Sequence, residues 1–318
     1  MEIAAENMDR LLCIEMRRKG LPRGFKWPLY EAARAISDGP MVLKAARLLD
    51  RAPGRIGIFT GAAVPEHMPV GENDGPFGAS VLAQALARLG HRPTIYTDAV
   101  CAPPIEALLR RNGTTTAEVV RLRLGDKAQL AGAAQAEDLL VAIERLGGNV
   151  NGKLHGVNGT NRDAFRCNVD HAFVEATRLR KTTIGIGDGG NEIGFGRLRE
   201  ALEAQLPAFA QKDKTPCGGG IFSAIATDHL VVASTSNLGA YGVVAALAML
   251  RGDPTLCHTA EEEIALHHVG VGLGLVDGGG GGLIPWCDGI PAEANAAVVT
   301  LLRNIVLRTL EAPRIRTF

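Results

Sequence analysis

Asp188, Asn191 and Glu192 lie in a stretch bent by six glycines, Gly185-Ile-Gly-Asp-Gly-Gly-Asn-Glu-Ile-Gly-Phe-Gly196. The β-branched run Thr182-Thr-Ile184 leads into it. Two acids and an amide at the exit of a buried strand suit proton transfer on a small polar molecule. Glycine lets backbone N–H groups approach a ligand closely and tolerates positive φ. The N–H groups of Gly187 to Gly190, with Gly189 and Gly190 central, and the Asn191 amide suit an oxyanion; Asp188 or Glu192 suits acid–base work. A strand-to-helix turn capped by Asp or Asn is the alternative. From Gly187 onward the dinucleotide glycine spacing is missing, and no Gly-Lys-Ser/Thr of a phosphate loop occurs.

Further candidates stand at similar punctuation points. In Glu72-Asn-Asp-Gly-Pro-Phe-Gly-Ala79, Asp74 and Pro76 make good helix-start grammar. Equally, Glu72 or Asp74 could face a crevice where the N-terminus of that helix receives a carboxylate or phosphate. Asp98 and Glu144 directly follow apolar runs, and Ser236-Asn237 stand between a strand and a helix. Asp277 opens a run of five glycines, Gly278 to Gly282, which is either a mobile flap or a long connection. His267 and His268 are adjacent, so on a helix they diverge by about 100° and do not share an ion simply. Asp188 and Glu192, with Asn191, could hold Mg²⁺, a hard ion that prefers oxygen ligands. Convergent carboxylates also bind ammonium groups. No organic cofactor is indicated.

These residues need a scaffold. Strands are expected at 55–60, 93–97, 117–123, 138–143, 182–187 and 228–234. Between and after them, helical patterns run over 76–89, 103–111, 126–136, 168–180, from near 196, 238–250, 259–268 and 291–311. Near-continuous apolar strands alternating with helices predict an α/β three-layer sandwich with a mainly parallel, doubly wound sheet. Ligands sit at the carboxyl ends of such strands. Here those ends hold Asp98, Glu144, Asp188 and Ser236-Asn237. Residues 3–18 and 28–50 are helical in period, with a break at Asp38-Gly39-Pro40. The expected organisation is a helical segment, 1–50, packed on an α/β body, 51–318.

Bulk properties narrow the partners. The 318 residues balance 34 basic against 34 acidic side chains, which argues against a nucleic-acid or membrane-surface binder. Aromatics at 4% argue against base stacking. Six dispersed cysteines without a C-x-x-C pair suggest reduced thiols. Met1-Glu-Ile-Ala-Ala-Glu-Asn has no apolar core of a signal peptide, and Tyr241–Leu250 is too short to span a bilayer. A cytoplasmic protein is expected. Its partner would be a small-molecule amino acid or carboxylate, met by one chain or by a homo-oligomer.

The blocks Ile58-Phe-Thr-Gly61, Glu72–Ala79, Ala142-Ile-Glu-Arg145, Gly185–Gly196 and Ser236-Asn-Leu-Gly239 occur in an order that resembles the D-glutamate cyclase family. The similarity runs from near Pro40 to the C-terminus, to the module forming the C-terminal half of eukaryotic mitochondrial members; the chain is identified as a divergent member. The resemblance implies a lyase that closes D-glutamate, or a related small amino acid, to 5-oxo-D-proline and water. Lactam closure needs a base for the amine, donors for an oxyanion and an acid for the departing oxygen. Asp188, Glu192 and Glu144 are the catalytic candidates. Asp74, Asp98, Gly189, Gly190, Asn191, Ser236 and Asn237 are the substrate-binding candidates. After Arg145 the family has arginines where this chain has Gly148, Lys153 and Asn158. Lys153 is then the cation expected to meet a substrate carboxylate, and Arg162 is a second. A non-catalytic carboxylate binder, or a hydro-lyase or amide hydrolase, would use the same pocket.

Overall fold

The computed structural model describes residues 1–17 and 24–312. Three helices open it, α1 (Glu2–Leu12), α2 (Lys26–Ala35) and α3 (Met41–Asp50). Strands and helices then alternate: β1 (Arg55–Phe59), α4 (Pro76–Arg88), β2 (Arg92–Asp98), α5 (Ala102–Arg111), β3 (Glu118–Leu122), α6 (Lys127–Ala136), β4 (Leu139–Ile143) and α7 (Asp170–Arg178). β5 (Thr182–Gly187) is followed by the short α8 (Arg199–Gln205) and α9 (Pro207–Ala210), and β6 (His229–Val232) by α10 (Ser236–Arg251). After α11 (Ala260–Gly272), a small antiparallel pair, β7 (Trp286–Cys287) and β8 (Ile290–Pro291), precedes α12 (Ala292–Leu310).

The six main strands form one wholly parallel sheet in the order β3-β2-β1-β4-β5-β6. Strand side chains alternate between two cores. From β1 and β4, Ile56, Ile58, Val141 and Ile143 join α3, α4 and α10 on one face. Phe59, Leu140 and Ala142 join α6 and α7 on the other. Burial on both faces explains why these strands read as unbroken apolar runs. The expected three-layer α/β sandwich is what forms. The order of strand addition reverses between β1 and β4, where a crevice opens at the carboxyl ends.

Several boundaries differ from expectation. The first helix stops at Leu12 rather than reaching 18, because Leu12 O accepts the N–H of Ser234 and the Cys13 thiol donates to Val232 O. The break near Asp38-Gly39-Pro40 separates α2 from α3, as the sequence suggests. The helix expected from near 196 begins at Arg199, as α8. Gly194 N and Gly196 N both donate to Ile225 O, folding the chain back before α8. α3 packs on α10 and β6, and α2 packs on β6. Among the described residues no helix is long and apolar enough to cross a membrane.

Candidate active site

The crevice is built around two helix N-termini that cap each other. Asp74 precedes α4, yet its carboxylate accepts the N–H of Ser236 (3.0 Å) and of Asn237 (2.7 Å) at the start of α10. In return the Asn237 side-chain oxygen accepts the N–H of Gly75 (2.9 Å) and Gly78 (2.7 Å) at the start of α4. Asp74 was expected either to cap its own helix or to face the crevice; its carboxylate caps the neighbouring helix. The exchange satisfies donors at both helix starts and places α4 on the β1–β4 crossing. Gly75, with φ of 90°, fits there because a Cβ would lie 2.6 Å from Thr60 Oγ1 and 2.8 Å from Glu144 Cβ.

Glu144 leaves β4 with a φ of 50°, unusual for a residue with a side chain. Its N–H donates to Ile186 O at 3.2 Å, and Ser236 Oγ donates to its carboxyl at 2.5 Å. Asp188 and Glu192 follow β5. Glu192 Oε1 accepts the N–H of Asp188 (3.0 Å) and of Gly189 (2.8 Å). Asn191 Nδ2 donates to His155 O at 2.9 Å. The expected oxyanion donors at Asp188, Gly189 and Asn191 are therefore already engaged within the protein. Gly190, with φ of 88°, backs onto the Phe222 ring, where a Cβ would lie 2.6 Å away. One step earlier, Gly185-x-Gly187-x-x-Gly190 does have dinucleotide spacing. Those glycines serve packing: a Cβ at Gly185 would run into the Ile193 carbonyl, and no helix follows the loop directly.

Two cations from the amino-terminal segment meet Asp188. Arg17 Nη2 lies 3.1 Å from Asp188 Oδ2 and also contacts Asp288. Lys26 Nζ donates to Asp188 O at 2.7 Å and to the Asp188 carboxylate. The cleft above them has a volume of about 380 Å³. Arg17, Lys26, Arg162 and Arg166 line it together with Glu72, Glu144, Asp188 and Asp288. Gly189 and Asn191 form part of its wall. Larger cavities lie elsewhere, one of about 520 Å³ beside α4 and α11 and one of about 600 Å³ beside α6 and α7, where Lys127, Lys153 and Arg166 meet Asp163 and Asp170; neither is lined by the acids at the exits of β4 and β5.

Burial and like charge dominate the titration of this cluster. Burial, then the neighbouring Asp188 and Glu192 charges, push Glu144 well above the ordinary carboxylate range. Burial and Asp188 push Glu192 up to about 8, and burial raises Glu72 to about 8 against the pull of Arg166. Burial raises Asp74 to about 6, moderated by its helix-start hydrogen bonds. Asp188 goes the other way: burial opposes its charge, but Lys26 and Arg17 outweigh it and hold the carboxyl below its usual value. Burial lowers Lys26 while Asp188 supports its charge. An amine nitrogen this close to a carboxylate oxygen, with Arg17 on the same oxygen, is an ion pair.

The chain matches the model of the family described as D-glutamate cyclase-like, C-terminal, over residues 30–303, and it belongs to that family. The mitochondrial D-glutamate cyclase of Homo sapiens is 27% identical over 198 residues, covering 58% of this chain and 31% of the human protein. The chain thus matches under a third of the length of that curated relative. A short-chain dehydrogenase structure from Rhodopseudomonas palustris covers 50% of this chain and 80% of its own, at 12% identity and a TM-score of 0.29. A Serratia marcescens short-chain dehydrogenase/reductase covers 50% and 71%, at 18% identity and 0.27. Scores that low bear on neither fold nor activity.

The structure brings Glu144, Asp188, Gly189 and Asn191 to the cleft wall, with Glu192, Gly190, Asp74, Ser236 and Asn237 directly behind. It does not bring Asp98 or Lys153. Asp98 is committed to Arg145, at 2.5 and 3.1 Å, and to Cys167 N at 2.8 Å. Lys153 is half exposed, pairs with Asp163 at 3.3 Å, and lines the cavity beside α6 and α7. Arg162 and Arg166 line the cleft, and Arg166 reaches the other cavity as well. The glycine run is no free flap: Asp277 Oδ1 accepts the N–H of Gly279 (3.2 Å) and Gly289 (2.8 Å), and Gly278 makes room for the Glu72 carboxyl. Arg17, Lys26, Arg166 and Asp288 were missed. Only Phe25-Lys-Trp27, a cation between aromatic residues, offered a signal.

Proposed function

We propose that the chain closes D-glutamate, or a closely related small amino acid with two carboxylates, to a lactam and water. One observation supports this most: four cations share a cleft with four carboxyls, of which Glu72 is raised to about 8 and Glu144 well above the ordinary carboxylate range by burial. The remaining positive excess suits a substrate with one more carboxylate than ammonium. Arg162 and Arg166 would hold the substrate's α-carboxylate by charge-assisted hydrogen bonds, and Asp188 would attract its ammonium.

The amine nitrogen attacks the γ-carboxyl carbon; the C–N bond forms and a C–O bond breaks. The ammonium loses two protons, and the departing oxygen gains two and leaves as water. The protonated Glu144 can give its proton to that oxygen and take one from nitrogen, so no external acid or base is consumed. Holding the five-atom chain folded would supply up to about 7–11 kcal/mol in the ideal intramolecular limit. The positive charge at the acidic end is supplied by Lys26 and Arg17, so we propose that the reaction proceeds equally with EDTA and with added Mg²⁺.

The test is incubation with D-glutamate and, separately, with 5-oxo-D-proline, followed by mass detection of the other compound. Interconversion supports the proposal. Thermal stabilisation by D-glutamate without conversion would overturn it in favour of a carboxylate binder. Release of ammonia from an amide would point to a hydrolase.

A further inference from the structure

Five of the six cysteines are buried, and only Cys217 is partly exposed. It stands in Thr215-Pro-Cys-Gly-Gly-Gly220, between α9 and β6, and does not line the cleft. The loop is folded around its sulfur. Gly219 leaves room for the Asn149 amide to reach it, since a Cβ there would lie 2.7 Å from Asn149 Nδ2.

Counting hydrogens shows what each neighbour offers the sulfur. Asn149 Oδ1 accepts the N–H of Asn151 (3.0 Å) and of Lys153 (3.2 Å), which fixes the orientation of the amide. Its Nδ2 then gives one hydrogen to Gly220 O (2.7 Å) and the other to Cys217 Sγ (3.2 Å). None is left for the His155 ring. His155 Nδ1 lies 3.3 Å from Lys153 O, which can only accept, so in the neutral ring Nδ1 carries the proton. Nε2 is then a bare lone pair, and its one partner among the described residues is Cys217 Sγ, 3.9 Å away. His155 is 1% exposed, so this lone pair is out of bulk water. The sulfur thus has an acceptor for its proton on one side and a donor to its anion on the other.

The thiols differ accordingly. Burial pushes Cys13, Cys101, Cys167, Cys257 and Cys287 up. Burial opposes ionisation of Cys217 too, but hydrogen bonds from Asn149, from the Gly219 N–H and from Asn151 outweigh it and hold the thiol below its ordinary value.

We propose that Cys217 is a reactive thiol and a modification site for small disulfides, with His155 as its base and Asn149 as the donor to its thiolate. His155 Nε2 takes the thiol proton, and the thiolate attacks one sulfur of the disulfide. A new S–S bond forms as the old one breaks, and the departing thiolate recovers the proton from His155. One thiol and one disulfide become another such pair, and no further oxidant is needed. This chemistry is independent of the cyclase-like function.

The experiment treats the folded full chain with iodoacetamide at pH 7 and, separately, with glutathione disulfide, and reads each cysteine by peptide mass. Cys217 should alkylate before the other five, and at least about threefold faster than the blocked peptide Thr-Pro-Cys-Gly-Gly-Gly, the scale set by a larger thiolate fraction. Glutathione disulfide should add one glutathionyl group, at Cys217, and none to Cys217→Ser. His155→Asn can keep the donor to Lys153 O while removing Nε2, and should slow alkylation by about fivefold or more. Alkylation no faster than the peptide would show an ordinary accessible thiol and overturn the proposal, as would an unchanged rate in folded His155→Asn. If that variant does not fold, the ¹⁵N NMR signals of the wild-type ring decide: a proton on Nδ1 supports the proposal, and a neutral ring protonated on Nε2 alone overturns it.

Discussion

Two buried ion pairs sit at carboxyl ends of the same sheet, and they differ in what remains unsatisfied around them. Arg145 meets Asp98 through two nitrogens, and its remaining donors reach Thr60 O (3.3 Å), Gly61 O (2.9 Å) and Cys167 O (2.6 Å). Asp98 Oδ1 also accepts Cys167 N. The guanidinium fork ties three loops together, and burial of Asp98 is outweighed by Arg145, so its carboxyl stays below its usual value. The Lys26–Asp188 pair ties less. Beside it lie Glu192 Oε2, buried with no hydrogen-bond partner among the described residues, and Glu144, raised and open to the cleft. A saturated pair is a structural lock. A pair surrounded by proton-bearing acids is equipped for chemistry.

The sharpest way to break this contrast is Glu144→Gln. Glutamine has the shape of the protonated acid, so the fold should persist while turnover falls by about 10²–10⁴-fold. Retained turnover would remove Glu144 from the proton path. Asp188→Asn should lower turnover comparably.

Next in size is the lock. Arg145→Met leaves Asp98 buried and uncompensated, and should cost about 3–5 kcal/mol in chemical denaturation. Lys26→Met should cost less than half of that, because Asp188 keeps Arg17 and can take up a proton. Equal losses at the two pairs would erase the distinction.

A third effect appears in the pH dependence of stability. Glu192 and Glu72 have folded values of about 8, above the ordinary glutamate value of 4.5. Between those limits the folded state holds protons that the unfolded chain has lost, so stability must fall as pH rises through that window. Tm should therefore drop from pH 4.5 to pH 8 and level off above. Glu192→Gln and Glu72→Gln should each flatten the slope. A Tm that rises across this window would contradict the buried protonated acids.

The sheet was legible because burial on both faces leaves runs such as Leu139–Ile143 with no polar interruption. Glu144, Asp188 and Glu192 were legible because acids at strand exits break those runs. Asp98 has the same local signature and a different fate, since its partner Arg145 lies 47 positions away. The crossed caps of Asp74 and Asn237 could not be read either: each looks like a cap for its own helix, and only the tertiary packing of α4 against α10 exchanges them. Arg17 comes from a segment with ordinary helical periodicity, where nothing local marks a cation as buried, and for Lys26 the one local sign is its place between Phe25 and Trp27. Arg162 stood second to Lys153 in the sequence reading, and Arg166 was obscured by an expectation centred on positions 148, 153 and 158.

That last point sets the smallest effect. Lys153 is half exposed and paired with Asp163, an arrangement worth about 0–1 kcal/mol. Lys153→Ala should change the KM for D-glutamate by less than about threefold, near the limit that loss of a screened surface charge can produce. Arg162→Ala removes a guanidinium that faces the cleft and should raise KM by more than about tenfold, the scale of a charge-assisted hydrogen bond. Placing an arginine at Gly148 should not help, because its Cβ would fall 3.0 Å from the Gly152 carbonyl carbon and against the Asp170 carboxylate that accepts Gly148 N. A KM effect at Lys153 as large as that at Arg162 would move the carboxylate anchor to the far side of the 146–166 segment. The site as drawn here would then be displaced with it.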